Sequence, residues 1–254
     1  NQMNKVHEKH PNLQKLWVEL QDALPPLWSG IHRLNLNHGK VRLTLIYNDV
    51  LEALKNSIFK ADAWFLDGFS PNKNHDMWSL EVMSEIYRLT KPSGTFATFS
   101  SAGFVRRNLE KAGFDVKKIK GYNFKKEMSC GQKPGMEKSK EKFSKIVIVG
   151  GGVAGASIAS SLRKRGYDPI VIEKNNKLAQ GSSGNLAAVQ YPRLSTVNTP
   201  NGRLSLSCYR YSRDLAKRLG VAIDDKSIIF GTPEREIKKQ EKLLSQGWPS
   251  DLLR

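Results

Sequence analysis

Lys145-Ile-Val-Ile-Val-Gly-Gly-Gly-Val-Ala-Gly-Ala-Ser-Ile-Ala159 is the stretch that decides the fold of the carboxyl half. Its β-branched run, Ile146 to Val149, reads as a fully buried strand. The strand runs into Gly150-x-Gly152-x-x-Gly155, and a helix pattern follows from about Ala154 to Arg165, with Gly166 placed to end it. A second apolar run, Ile170-Val171-Ile172, finishes on Glu173. This is a βαβ unit, the context that gives a glycine triplet meaning as a dinucleotide site. Gly150 permits the tight turn, Gly152 lets the backbone approach a pyrophosphate, and Gly155 allows close helix–strand packing. The pyrophosphate would rest on free N–H groups at the helix N-terminus. Glu173 would accept ribose hydroxyls and repel a 2′-phosphate, which favours FAD or NAD over NADP. A glycine-rich turn without a ligand is the competing reading.

Working outward, residues 131–144 hold few apolar positions and five close-set charges, and residues 133–144 read as an exposed linker. The chain therefore divides into residues 1–132, 133–144 and 145–254. In the first part Val41–Tyr47 reads as a strand ended by Asn48-Asp49, with a short helix from about Val50 to Phe59. Ala63–Leu66 is a strand ending on Asp67-Gly68-Phe69, and a helix covers about Asp76 to Leu89 until Lys91-Pro-Ser-Gly94 breaks it. Thr95–Phe99 is a strand, Ala102–Ala112 a helix and Phe114–Lys120 a strand, with a last strand near Glu127–Cys130 as its hairpin partner. Such alternation predicts an open, mostly parallel α/β sheet. Ligands of these sheets bind beyond the carboxyl ends of the strands, where Asp49, Asp67 and Ser100-Ser101 stand. Asp49 and Asp76 are also placed to cap the helices that follow them; Asp67 precedes a Gly-Phe and proline loop, where capping explains little.

The chain of 254 residues carries 41 basic and 24 acidic side chains, a net charge of +17. Residues 1–132 contribute 19 basic and 13 acidic residues, so the surplus is larger in the second half. This points to a polyanionic partner, nucleic acid first, against a merely basic soluble protein. Cys130 and Cys208 are the two cysteines and lack any CxxC spacing, which suits a reducing cytosol and argues against a disulfide framework or zinc site. No His stands in a metal-ligand pattern, and His7, His10, His32, His38 and His75 receive no role. No apolar run reaches the ~20 residues of a membrane span, and no apolar signal region follows the first residues.

The order strand–Asp67–helix–Lys-Pro-Ser-Gly–strand–helix–hairpin resembles the second half of a class I S-adenosylmethionine-dependent methyltransferase. Four segments are similar to the MnmC family of bifunctional tRNA 5-methylaminomethyl-2-thiouridine biosynthesis proteins: Trp64-Phe-Leu-Asp-Gly-Phe-Ser-Pro-Asn-Lys-Asn-His-Asp-Met-Trp78, Ala97-Thr-Phe-Ser-Ser-Ala-Gly-Phe-Val-Arg-Arg107, Lys120-Gly-Tyr-Asn-Phe-Lys-Lys-Glu-Met128 and Gly181-Ser-Ser-Gly-Asn185. The likeness runs from roughly His7 to Arg218 and fades from about Leu219. It implies a methyltransferase sheet followed by the first βαβ part of a Rossmann-like FAD-binding domain of the D-amino-acid-oxidase type. It implies two activities on the wobble uridine of tRNA: FAD-dependent removal of the carboxymethyl group from 5-carboxymethylaminomethyluridine, then S-adenosyl-L-methionine-dependent methylation of the amine. A carboxylate such as Asp67 could bind the incoming ammonium, orient it and accept a proton, and Asp49, by its position after the preceding strand, could contact the methyl donor's adenine. By the resemblance Gly150, Gly152, Gly155 and Glu173 hold FAD together with the Ser182-Ser183-Gly184-Asn185 loop. Phe69 and Trp78 are candidate aromatic faces for a base, with core packing as the alternative. Phe104-Val-Arg-Arg107 and Lys125-Lys126 are candidate phosphate contacts, with a solvated basic face as the alternative.

The family pattern begins with a glycine-rich strand–loop–helix that would precede these residues, and it continues into an oxidase substrate domain for which residues 145–254 leave no room. The chain thus reads as a central fragment of a larger cytoplasmic enzyme, with exposed edges that another polypeptide would cover. Two further readings stay open: a non-catalytic remnant with at most nucleotide or tRNA binding, and a nicotinamide-dependent oxidoreductase sharing only the βαβ unit.

Overall fold

A computed structural model describes residues 10–25, 27, 29–123, 125–136, 145–197, 199–221, 233–248 and 252–253. His7 and most of the expected linker, residues 137–144, lie outside the described residues. The chain folds as two units: Asn48–Glu141, and Asn1–Tyr47 together with Lys142–Arg254.

In unit Asn48–Glu141, helix α2 (Val50–Lys55) begins at Asp49, whose Oδ1 accepts the N–H groups of Leu51 and Glu52 at 2.9 and 3.1 Å. Strands β3 (Ala61–Phe65) and β4 (Thr90–Thr98) run parallel. Their register jumps between Ala61↔Thr90 and Ala63↔Thr95. This bulge takes Lys91-Pro-Ser-Gly94 into β4, so the segment expected only to break a helix is strand. Helix α3 (Leu80–Leu89) packs Val82, Met83, Ile86 and Leu89 inward, a spacing that lines one helical face. Ser79 Oγ caps α3 by accepting Val82 N–H; Asp76 opens a single 3₁₀ turn, and the capping role expected for it is not seen. Helix α4 (Gly103–Ala112) buries Val105 and Leu109, and the core continues through Trp78, Phe96 and Phe114. Burying each such side chain contributes roughly 1.5–3 kcal/mol. Strands β5 (Asp115–Lys120) and β6 (Glu127–Gln132) form the expected hairpin. The sheet order is β3-β4-β6-β5, with one parallel and two antiparallel ladders. The expected mostly parallel sheet is therefore a mixed one here. The β5–β6 connection is too short for a crossover, so β6 returns antiparallel and slots between β4 and β5.

In the other unit, helix α1 (Pro11–Ala23) precedes an antiparallel pair of β1 (Gly30–Leu36) and β2 (Val41–Tyr47). Val41–Tyr47 is a strand as expected, but it pairs with β1 rather than joining an alternating sheet. Helix α6 (Pro200–Arg218) lies against β1, with Leu34, Leu36 and Leu206 buried and Asn35 Nδ2 donating to Tyr211 Oη at 3.4 Å. The βαβ unit is present as β7 (Val147–Val149), α5 (Val153–Arg163) and β8 (Ile170–Ile172), its strands parallel. The expectation of a fully buried strand fails: Ile148 is buried, but Val149 is 85% exposed and Ile172 54%. Among the described residues β7 and β8 pair with each other and with no further strand, and α5 packs on them. Helix α7 (Glu234–Leu244) is polar, as its sequence suggests.

Candidate functional site

The carboxyl end of β7 turns at Gly150, whose φ of +99° is a conformation that a side chain would strain. Gly150 N–H donates to Ile172 O at 2.7 Å, tying the loop to β8. A Cβ on Gly155 would stand 1.9 Å from Gly150 O, so only glycine lets α5 come this close to the loop. Gly152 is the N-cap of α5, without a capping side chain of its own. Ser183 supplies the missing acceptor from thirty residues away: its Oγ takes Val153 N–H at 3.0 Å. Ser183 and Gly184 form a single 3₁₀ turn that closes on Asn185, and Ala179 N–H donates to Gly151 O at 3.2 Å, holding this segment over the glycine loop.

Glu173 joins the same cluster. Its Oε2 accepts Gly151 N–H at 2.7 Å, and its Oε1 accepts both N–H and Nδ2 of Asn175 at 3.0 Å. The bond from Gly151 holds the carboxyl below the usual carboxylate range, with the Asn175 bond second. The structure thus brings Gly150, Gly152, Gly155, Glu173, Ser183, Gly184 and Asn185 into one place. These residues fit a dinucleotide: a cradle that a Cβ would fill, a helix N-terminus whose first N–H is held by Ser183, and an ionised carboxylate beside it.

In unit Asn48–Glu141, Asp67 follows β3 and is exposed, its N–H donating to Phe65 O at 3.0 Å. Phe69 is exposed, whereas Trp78 is buried and its Nε1 donates to Phe69 O at 2.9 Å. Trp78 therefore packs as a core residue that anchors the Asp67 loop from below. Both helix bonds to Asp49 go to Oδ1, which leaves Oδ2 available to a cofactor donor. Arg106 and Arg107 lie early in α4, the first half-buried and the second exposed.

An open pocket of about 380 Å³ sits beyond the carboxyl end of β4, lined by Ser70, Phe99, Ser101, Lys125 and Lys126 among others. Beneath it lies a buried hydroxyl network that the sequence alone does not announce. Ser129 Oγ donates to Ser100 O at 2.8 Å, Ser100 Oγ accepts Ala102 N–H at 3.3 Å, and Thr98 Oγ1 accepts Ser100 N–H at 3.2 Å. Buried small hydroxyls on adjacent strands are its signal, readable only once β4 and β6 are paired. Among the described residues no helix is long and apolar enough to cross a membrane, and no group of three acidic, histidine or cysteine side chains gathers to hold a metal.

A mixed sheet flanked by helices and a separate βαβ unit on one chain make this a protein with two α/β modules. Residues 11–134 match the S-adenosyl-L-methionine-dependent methyltransferase family, and residues 145–252 match the FAD dependent oxidoreductase family. The second match passes well beyond Leu219, the point where the sequence likeness is expected to fade. Over most of its length the chain is similar to bifunctional tRNA 5-methylaminomethyl-2-thiouridine biosynthesis proteins of the MnmC family. The member from Methylobacillus flagellatus is 36% identical over 94% of this chain and 38% of its own length. That from Chromobacterium violaceum is 42% identical over 78% of this chain and 33% of its own. The chain thus spans less than two fifths of these relatives. The solved structure of MNMC2 from Aquifex aeolicus, 27% identical, overlaps 46% of this chain and 37% of that one with a TM-score of 0.37.

Proposed function

We propose that this chain carries the junction of a bifunctional enzyme that modifies the wobble uridine of tRNA in the cytoplasm. The carrying observation is the order of the two family matches, at residues 11–134 and 145–252. The division proposed on sequence is residues 1–132 for the methyltransferase part, 133–144 for the linker and 145–254 for the oxidase part. Similarity to MnmC relatives across 94% of the chain supports the enzymatic reading over a non-catalytic remnant.

In the oxidase part, Gly150, Gly152 and Gly155 would hold the FAD pyrophosphate, Glu173 its ribose, and Ser183, Gly184 and Asn185 would close over it. FAD would supply the two-electron acceptor for oxidative loss of the carboxymethyl group from 5-carboxymethylaminomethyl(-2-thio)uridine, leaving the 5-aminomethyl form. In the methyltransferase part, S-adenosyl-L-methionine would supply an electrophilic methyl group. Asp67 would bind the incoming ammonium, orient it and accept its proton, so that the neutral nitrogen attacks and 5-methylaminomethyl(-2-thio)uridine results. Asp49 Oδ2 would accept from the donor's adenosine. The exposed apolar strands of the βαβ unit support a polypeptide partner surface there.

The test is tRNA from a strain lacking this activity, supplied with the full gene product and analysed by nucleoside mass spectrometry. Both conversions are expected with the wild type. Asp67→Asn should stall the product at the aminomethyl form, with a drop of about 10²-fold or more in methylation. Accumulation of the carboxymethylaminomethyl form in every case would overturn the reading.

A further inference from the structure

Lys125 and Lys126 occupy the turn between β5 and β6 and face the pocket beyond β4. The turn is closed by Gly121 N–H to Lys126 O at 3.1 Å and Lys125 N–H to Tyr122 O at 3.2 Å. Lys125 Nζ rests 5.0 Å from the Phe99 ring centroid, which holds the ammonium over the pocket. Among the described residues Glu127 is the only acid in the lining, and its Oε2 is taken by Lys118 Nζ at 2.6 Å. Neither Lys125 nor Lys126 makes an ion pair among the described residues. The pocket therefore presents two uncompensated positive charges beside the hydroxyls of Ser70 and Ser101. Its floor is fixed by the buried Thr98, Ser100 and Ser129 network. It opens to solvent, so a polymer crossing its mouth can reach the lysines, and the half-buried Phe99 ring lies under Lys125 rather than free to stack on a base.

We propose that this pocket binds a backbone phosphodiester of the RNA substrate. Two ammonium groups and hydroxyl donors match a phosphate's tetrahedral oxygens, and lysine serves phosphate as a point charge. The proposal rests on the tRNA reading above and adds a named contact to it.

The test measures anisotropy of a labelled anticodon stem-loop RNA bound to the full chain across a salt series. Lys125→Ala with Lys126→Ala should weaken binding by about 10-fold and lower the slope of log K against log salt by about one to two. A control that removes two exposed charges elsewhere, Lys40→Ala with Lys111→Ala, should leave the slope unchanged. Lys125→Arg with Lys126→Arg should restore both, which separates lost charge from a damaged fold. Inorganic phosphate should compete no better than its ionic strength requires. Saturable displacement by phosphate, with an unchanged RNA slope in the alanine variant, would make the pocket a small-anion site and overturn the proposal. RNA binding equal in wild type and alanine variant would also overturn it and leave the tRNA reading standing. No RNA binding by the wild type would remove both.

Discussion

At Gly155 one missing methyl group lets the helix close on the glycine loop. Gly155→Ala places a Cβ 1.9 Å from Gly150 O, a backbone atom that cannot swing away. The expected cost is about 1–3 kcal/mol of stability, with flavin affinity falling alongside. A thermal melt with and without added FAD reads both, and an unchanged melt with unchanged flavin binding would sink the assignment. Glu173 makes a pH prediction at the same loop. Its folded pKa lies below the ordinary 4.5, so its contribution is present above that value and fades as pH falls through the lower, folded one. Glu173→Gln should flatten that acid limb, visible as a protection factor at the Gly151 amide, relative to its intrinsic exchange rate, that falls with pH in the wild type only. The placement of the three glycines and Glu173 around one loop is legible in the sequence because a βαβ spacing puts them there. The Ser183 contact is legible only through resemblance, because no local rule links Ser183 to Val153 thirty residues earlier. At Asp49 the structure shows the capping that the sequence makes readable, with both helix bonds on Oδ1.

At the scale of elements, the end of α3 is held by a lysine rather than by a glycine cap. Lys133 Nζ donates to Tyr87 O at 2.9 Å and Thr90 O at 3.1 Å, and sits 4.1 Å from the Tyr87 ring centroid. Tyr87 O also accepts the Thr90 N–H at the helix end, so the ammonium is a second donor to it. Burial, and secondarily the Lys60 charge, lowers its pKa from the usual 10.5. The folded state therefore disfavours the proton, and stability rises as pH climbs through the window between the lowered value and 10.5. Lys133→Met should abolish that rise, while losing about 1–2 kcal/mol at neutral pH with the two ammonium hydrogen bonds. Denaturant melts at neutral and alkaline pH decide it; parallel pH profiles for the two proteins would refute the role. Strand β1 escapes a reading of the sequence because its inward positions are Gly30, His32, Leu34 and Leu36, two of them not apolar aliphatics. The bulge in β4 escapes for a related reason: Pro92 and Gly94 read locally as punctuation, yet the β3 register absorbs them. The helices α3 and α4 are legible to within a few residues because their apolar spacing is a property of the segment alone.

On the scale of the whole chain, surface rather than core distinguishes the two units. The unit Asn48–Glu141 has a contiguous core from Leu54 to Phe114. In the other, the βαβ strands leave Val149 85% exposed, Ile172 54% and Val147 50%, beside Val153 at 70%. Apolar groups this concentrated beside strand edges without a neighbour among the described residues make association here the expected outcome. A net charge of +17 opposes self-association at low salt, since like-charged copies repel over about a Debye length. The two effects predict opposite salt responses. RNA binding should weaken as salt rises, whereas self-association of the purified chain should strengthen as the repulsion is screened. Val149→Lys removes apolar area at a site already exposed, so it should leave the melting temperature nearly unchanged while reducing the association. Sedimentation at low and high salt, with dye binding as a reporter of exposed apolar surface, separates these outcomes. A chain that stays monomeric and dye-silent in high salt would show that β7 and β8 are not an association surface. Association that grows with salt in the wild type and not in Val149→Lys would locate it on them.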